Sequence, residues 1–185
     1  MTAEATPTKM VGQALKRRED PQLITGQGNF LDDIKLAGMV HACVLRSPYA
    51  HARIVSIDTS KAKAFPGVVA VFTGDDMLDI NPLPCAWAAG RVQNNINTPR
   101  GLATGEVHFA GDAVALVLAE DRYIARDACD LIDVEYEPLA VVVDAKKATE
   151  AGAPQLHENA PNNIVMEWDA GDKAKPDAAV AAAEV

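Results

Sequence analysis

The chain has 185 residues and a formal net charge of −9, and 49% of its residues are hydrophobic whereas only 5% are aromatic. An acidic surface repels phosphate backbones and anionic lipid headgroups, which disfavours nucleic acids and membrane surfaces as partners. The length favours one domain with extended ends, and no apolar run reaches the roughly 18 residues that a membrane-spanning helix needs.

The first part of the chain predicts an irregular arm followed by strands. Residues 1–20 are polar and lack a sustained period, which predicts a mobile or partner-dependent arm. Residues 24–34 are rich in glycine, asparagine and aspartate and indicate turns. Residues 39–47 and 53–60 are the first two strand candidates.

A short helix is expected over residues 60–65, with Ser60 as its cap and Pro66 ending it. Residues 68–74 predict the next strand. The connection between these two strands is shorter than the dozen or so residues that a parallel crossover needs. The direction of this strand pair therefore stays open.

Residues 78–106 have no clear period and contain several prolines and glycines. A loop of this length is uncommon in a compact domain, and it is usually functional or ordered by a partner.

The second half of the chain is more regular. Residues 112–120 are almost continuously apolar, which fits a strand covered on both faces. Asp121 can cap a helix that runs to about Ile132 with one apolar stripe. The remaining predicted elements are a strand over 133–143, a short helix over 145–152 and a last strand over 164–168.

The order strand, helix, strand occurs twice, over residues 53–74 and 112–143. This repetition predicts a mixed α/β domain in which one mixed sheet is partly covered by short helices. The domain is expected to span residues 21–168, after the arm and before a linker-like tail over 169–185 that is rich in alanine and charge.

Residue types that carry chemistry are present without the spacing that chemistry needs. The three cysteines, Cys43, Cys85 and Cys129, are odd in number and widely separated, so neither a disulfide framework nor a cysteine-ligated metal site is expected. Cys43 and Cys129 are expected to be buried as small hydrophobic side chains. The N-terminus lacks the pattern of a secretory signal, and the expected location is the cytoplasm.

The four histidines, His41, His51, His108 and His157, are isolated in the sequence and show no metal-ligand spacing. Three of them could converge in space, although nothing in the spacing indicates it. The glycine-rich stretch 26–31 lacks the third glycine of a dinucleotide-binding loop, and no nucleophile elbow is present. The residue types and their spacing therefore predict no catalytic residue, no cofactor-binding residue and no metal ligand.

Three separate blocks resemble a known family. They are "VGQALKRREDPQLITGQGNFLDDIKLAGMVHACVLRSPYAHARIVSID", "PGVVAVFTGDD" and "GDAVALVLAEDRYIARDACDLIDVEYEPLAVV". In this order they resemble the start of a molybdenum hydroxylase large subunit, the family of aerobic carbon monoxide dehydrogenase, aldehyde oxidase and xanthine dehydrogenase. The resemblance covers about residues 11–168, is nearest to the carbon monoxide dehydrogenase-like branch, and implies the α/β hammerhead fold.

The resemblance also implies where the cofactors lie. The family holds molybdenum–molybdopterin and its catalytic glutamate in later domains, and its 2Fe–2S clusters and FAD on other domains or subunits. The chain ends at Val185, ahead of that molybdenum-binding part, so no family catalytic residue has a matching position here. The implied partners are the molybdopterin-binding domains or subunit, the iron–sulfur subunit and the FAD subunit.

The polar stretch "RSPYAHARI" over residues 46–54 is expected to form a turn between two strands. Within the resemblance, we expect an interface with neighbouring domains formed by Arg46, Tyr49, His51 and Arg53, since arginine and tyrosine suit interfaces. The alternative is a solvated turn that contacts nothing.

Three functions follow for the whole chain. The first is a non-catalytic structural portion of a molybdopterin-dependent hydroxylase or dehydrogenase large subunit, inactive alone, whose loop over 78–106 meets a neighbour or the substrate channel. The second is a stand-alone assembly or interaction module without enzyme activity. The third, a small-molecule-binding domain, rests only on the long loop.

Overall fold

A computed structural model of the chain describes residues 11–83, 93–94, 99–167, 171–172 and 174–183. The chain divides between Met39 and Val40 into two units. None of the helices in the described part of the chain has the length and apolarity that a membrane span requires.

The first unit contains a short helix, α1 (Asp20–Ile24), and a 3-10 turn over Leu31–Asp33. The Thr25 hydroxyl donates to the Pro21 carbonyl (2.6 Å) and closes α1. None of the described residues of this unit is buried, and its large apolar side chains are exposed. The expectation for residues 1–10 lies outside the described residues.

The second unit begins with a three-stranded antiparallel sheet, here sheet A. Its central strand is β6 (Ala113–Ala119), which pairs on one side with β1 (His41–Arg46) and on the other with β3 (Val68–Thr73). The strand predicted from the nearly continuous apolar sequence is confirmed. The expected coverage of both faces is not, because Leu116 and Leu118 point to a face that is only half-buried.

A second three-stranded antiparallel sheet, here sheet B, has β2 (Ala52–Asp58) at its centre. It pairs with β5 (Glu106–Val107) and with β7 (Asp133–Pro138). The register of β2 against β7 shifts between Ile54 and Ser56.

The predicted α/β class with short helices is confirmed, but the six strands introduced above form two antiparallel sheets rather than one mixed sheet. Each strand–helix–strand segment passes from one sheet to the other: β2 and β7 belong to sheet B, and β3 and β6 to sheet A. A short connection cannot bring two parallel strands side by side in one sheet. Because the two strands of each segment lie in different sheets, a short connection is sufficient.

The helices follow local capping signals. In α3 (Arg122–Cys129), the Asp121 carboxylate accepts the Tyr123 N–H (2.7 Å), so the predicted cap is confirmed. The expected Ser60 cap is wrong, because α2 (Ser60–Lys63) has Thr59 at the N-cap position. Ser60 lies one position later, and its N–H donates to the Asp58 carboxylate (2.9 Å).

The core lies between sheet A and helices α2 and α3. It contains small and branched side chains, as the scarcity of aromatic residues predicts. Cys129 belongs to it, and Cys43 packs against it half-buried. The buried members are Ala62, Val71, Ala115, Val117, Ala128, Cys129 and Ile132. A smaller cluster of Ala52, Val107 and Val114 joins the two sheets.

The last elements are short. Helix α4 (Ala145–Ala148) is capped by Asp144, and β8 (Met166–Glu167) pairs with β4 (Gln93–Asn94) inside the long predicted loop. Residues 84–92 and 95–98 of that loop lie outside the described residues. Helix α5 (Ala174–Ala181) occupies part of the predicted tail and buries no residue.

Candidate functional site

The polar turn over residues 47–51 joins β1 of sheet A to β2 of sheet B, so the predicted turn between two strands is confirmed. The Ser47 N–H donates to the Asp112 carbonyl and the Gly111 N–H to the Ser47 carbonyl, both at 2.8 Å. The buried Ser47 hydroxyl accepts the Tyr49 N–H and donates to the Tyr49 carbonyl, both at 3.0 Å. These bonds fix the turn and leave the hydroxyl engaged with the backbone.

Arg46 and Tyr49 face the surface beside this turn. The Arg46 guanidinium donates to the Gly111 carbonyl (2.8 Å). The Tyr49 ring is 40% exposed and lies 5.1 Å, centroid to centroid, from the Tyr136 ring at an angle of 50°. A half-exposed aromatic pair next to an arginine is typical of interface composition.

Arg53 stands between two carboxylates on sheet B. Its guanidinium contacts Glu137 at 2.5 Å and Glu106 at 3.8 Å, through β7 and β5 respectively. All three side chains are substantially exposed, so the pairs contribute little to stability and mainly order the surface.

His51 differs from the other three predicted interface residues because it is only 6% exposed. Its Nδ1 lies 2.8 Å from the Ala140 carbonyl oxygen. A carbonyl only accepts, so Nδ1 carries a proton and the neutral ring leaves Nε2 bare. Within the described part of the chain that buried Nε2 has no hydrogen-bond partner, and a carboxylate oxygen of Glu106 is 3.9 Å away.

Three imidazoles meet here and form what we call the histidine stack: His51, His108 and His157. The ring centroids of His51 and His108 are 5.9 Å apart, and those of His108 and His157 are 4.3 Å apart with planes 17° from parallel. Burial lowers the pKa of His108, the neighbouring His157 lowers it further, and the Asp112 carboxylate opposes the shift. The fold thus disfavours a proton on the middle ring.

The stack is not arranged as a metal site. Stacked rings present faces rather than nitrogen lone pairs to one another. Across the residues that the structure describes, no group of three or more histidine, cysteine, aspartate or glutamate side chains could hold a metal ion.

Sequence reasoning placed His51 in the site but missed His108, His157 and the two glutamates that flank Arg53. These residues come from separate elements, and no spacing in the sequence brings them together. The two glutamates reach Arg53 because β5 and β7, which carry them, pair with the same strand, and this pairing is known only from the structure.

Comparisons with known proteins point in one direction. The family model described as "Aldehyde oxidase and xanthine dehydrogenase, a/b hammerhead domain" matches residues 25–140. The carbon monoxide dehydrogenase large chain of Afipia carboxidovorans is 43% identical, over 100% of this chain and 24% of that protein. The xanthine dehydrogenase molybdenum-binding subunit of Escherichia coli O157:H7 is 38% identical, over 72% of this chain and 18% of that protein.

Solved structures agree. Reconstituted CO dehydrogenase from Oligotropha carboxidovorans superposes with a TM-score of 0.74 and 42% identity, over 94% of this chain and 22% of that one. Quinoline 2-oxidoreductase from Pseudomonas putida 86 gives a TM-score of 0.64 and 41% identity, over 78% and 18% respectively. The chain therefore spans about a quarter of the length of the curated carbon monoxide dehydrogenase chain that it matches.

Proposed function

The chain belongs to the aldehyde oxidase and xanthine dehydrogenase family through its a/b hammerhead domain, and from this premise we propose that it is a non-catalytic structural portion of a molybdopterin-dependent hydroxylase or dehydrogenase large subunit. The observation that carries the proposal is the 43% identity to a carbon monoxide dehydrogenase large chain along the whole of this chain. It supports the carbon monoxide dehydrogenase-like branch.

A structural role is supported by the polar turn, where the Ser47 hydroxyl is engaged with backbone. We therefore assign no reaction step to this chain. In the proposed complete enzyme, molybdenum–molybdopterin outside the chain would supply hydroxylation with oxygen from water, and electrons would leave through 2Fe–2S centres to FAD.

The surface supports a role in contacting further protein. The face of sheet A opposite α2 and α3 carries Phe72, which is 36% exposed, and the half-buried Leu116 and Leu118. Apolar side chains grouped on one face favour coverage by protein. We propose that this face and the polar turn contact the molybdopterin-binding portion, with the iron–sulfur and FAD subunits completing the enzyme.

Within that interface, Arg46, Tyr49 and Arg53 supply the contacts at the surface. His51 supports them from beneath, because its ring is buried and bonded to Ala140. The loop over 78–106 is proposed to meet a neighbour or the substrate channel.

The first test is the size and metal content of the native polypeptide. Cytosolic and membrane fractions of source cells are separated, blotted with an antibody against this chain, and the recognised protein is isolated for molybdenum analysis. We expect a cytosolic band several times larger than 19.6 kDa that carries molybdenum.

A band near 20 kDa without molybdenum would contradict this proposal and favour the alternative, a stand-alone assembly module. A larger band without molybdenum would retain the large-subunit assignment but contradict the molybdopterin-dependent activity. A band in the membrane fraction would contradict the cytoplasmic location.

A further inference from the structure

The histidine stack brings together three parts of the second unit. His51 immediately precedes β2, His108 immediately follows β5, and His157 lies in the connection between α4 and β8. His157 is an end ring of the stack, 4.3 Å from His108, and this contact attaches the connection to the end of β5. The stack therefore acts as a docking point for a segment distant in sequence.

The segment that carries His157 is held in shape by its own bonds, and we call residues 148–163 the Asn163 loop. The Asn163 amide group donates to the Ala148 carbonyl (2.8 Å) and the Pro154 carbonyl (2.9 Å). Its oxygen accepts the Leu156 N–H (2.8 Å). These bonds lie within the loop, so they persist when it moves as one body.

The charges around the stack come from every element that packs against it. The His108 N–H of the backbone donates to the Asp112 carboxylate (3.1 Å), and Glu106 lies 3.9 Å from His51 Nε2. These two carboxylates can balance one added proton. Among the described residues, the charged or titratable groups that act on His108 are His157, Asp112, His51 and Glu106, and Arg53 joins Glu106 to Glu137.

A second added proton places positive charge on two neighbouring rings. Two imidazolium rings with centroids 4.3 Å apart repel each other, and partial burial reduces the screening of that repulsion by water. Asp112 and Glu106 cannot neutralise both rings fully because Arg53 already engages Glu106 (3.8 Å). Separation of the rings relieves the repulsion.

We propose that the histidine stack is a pH-dependent latch that docks the Asn163 loop on the end of β5 while the rings are neutral and releases it when they become protonated. The loop leads directly into β8, which pairs with β4 of the long 78–106 segment. Release of the loop therefore removes the attachment that holds β8 next to β4. This inference concerns the chain itself and does not depend on the proposed function.

The direction of the pH dependence follows from His108. Its pKa is lowered in the docked state, first by burial and then by His157, so the docked state binds fewer protons than the released state. Docking is complete above the ordinary histidine pKa of about 6.5. It weakens as the pH falls below that value and through the lowered pKa.

The test is the nuclear Overhauser effect between the ring protons of residues 108 and 157 in the 185-residue chain, measured at pH 7.5 and at pH 5.0. We expect the cross-peak to lose at least about half of its intensity at the lower pH, because its intensity follows the docked population. In H108F and in H157F a phenyl ring replaces one imidazole, so stacking is retained without a second proton. Their cross-peaks are expected to persist at pH 5.0.

The control is H41Q, which alters the histidine on β1 outside the stack and is expected to behave as the unaltered chain does. An unchanged cross-peak in the unaltered chain at pH 5.0 would overturn the latch. Loss of the cross-peak at pH 5.0 in a folded phenyl variant would also overturn the latch. Persistence of the full cross-peak at pH 5.0 in H41Q would do the same. If one phenyl variant does not fold, the other decides.

Discussion

Gly74 lies so close to Ala103 that a β-carbon on Gly74 would overlap the Ala103 carbonyl oxygen, and it would stand only 2.6 Å from the Thr104 methyl group. Gly74 directly follows β3, and the Ala103 N–H donates to the Ala113 carbonyl at the start of β6 (2.7 Å). The obstacle is mainly backbone, so it cannot rotate away as a flexible side chain can. The end of β3 and the segment before β5 are thus packed backbone to backbone.

Gly74→Ala is accordingly expected to destabilise the fold by about 1–3 kcal/mol, the range for overpacking a close contact. Urea denaturation of the purified chain measures it. Gly101→Ala is the matched control, because among the described residues its β-carbon would meet only the Met77 methyl group, at 3.7 Å. Equal stabilities of the two variants would show that the close approach is absent.

Val117 is fully buried in the central strand of sheet A, between β1 and β3. Val117→Ala is expected to cost about 2 kcal/mol, from lost apolar burial and the small cavity left behind. Val69→Ala makes the same chemical change at the irregular register of β3, where the side chain is 57% exposed. Val69→Ala should change the free energy of unfolding by no more than about 0.5 kcal/mol, measured by urea denaturation. Equal destabilisation by both variants would show that Val117 is not part of the core.

The thiol of Cys129 is buried against β1, where it donates to the Cys43 carbonyl (3.4 Å). Burial, reinforced by Cys43, raises the pKa of Cys129 to about 12. Only the thiolate reacts with alkylating reagents. We therefore expect Cys129 to remain unmodified by iodoacetamide at pH 8 in the native chain and to react fully in urea, as mass spectrometry of peptides would report. Rapid native labelling would contradict this burial.

The Asp76 carboxylate accepts the Thr73 N–H (2.7 Å) and the Thr73 hydroxyl (2.9 Å) at the end of β3. These two bonds, the backbone bond first, lower the pKa of Asp76. Its stabilising contribution is therefore present above the unfolded pKa of about 3.9 and is lost as the pH falls through the lowered value.

For an exposed carboxylate, Asp76→Asn should cost about 0.5–1 kcal/mol at pH 7, because solvent screens the interaction. The cost should shrink as the pH falls below about 3.9 and through the lowered pKa of Asp76, measured by urea denaturation at pH 7 and at a series of acidic pH values. Asp75→Asn changes the adjacent residue and serves as the control. A cost for Asp76→Asn that is independent of pH would show that the charge plays no part.

Arg46 and Arg53 test the proposed interface. In the complete enzyme, Arg46→Ala and Arg53→Ala are each expected to weaken association of the hammerhead portion with the rest by about 1 kcal/mol or more. Limited proteolysis and co-purification of the separated portions measure this. Arg126→Ala removes an exposed arginine that pairs with Asp130 on α3 and should leave association unchanged. Association unaffected in the first two variants would favour a solvated turn.

Local patterns in the sequence were sufficient for most elements of the second unit. The alternation and apolar runs near β1, β3 and β6, and the aspartate before α3, depend on side chains close in the chain, and these elements formed where they were predicted. The blocks that resemble the molybdenum hydroxylases were sufficient for the family. The Ser60 cap was misplaced by one position, because Thr59 also suits the start of a helix and takes the N-cap position.

The partition of strands into two sheets was decided only by the tertiary structure. A strand's sequence records how far each face is buried, but not which partner covers it. The same holds for the site: His51, His108 and His157 meet because β2 pairs with β5 and the Asn163 loop folds back, and neither event leaves a spacing in the sequence. Periodicity and capping are local interactions that a sequence displays directly, whereas ring stacking and the close approach of Gly74 to Ala103 exist only once distant segments have packed.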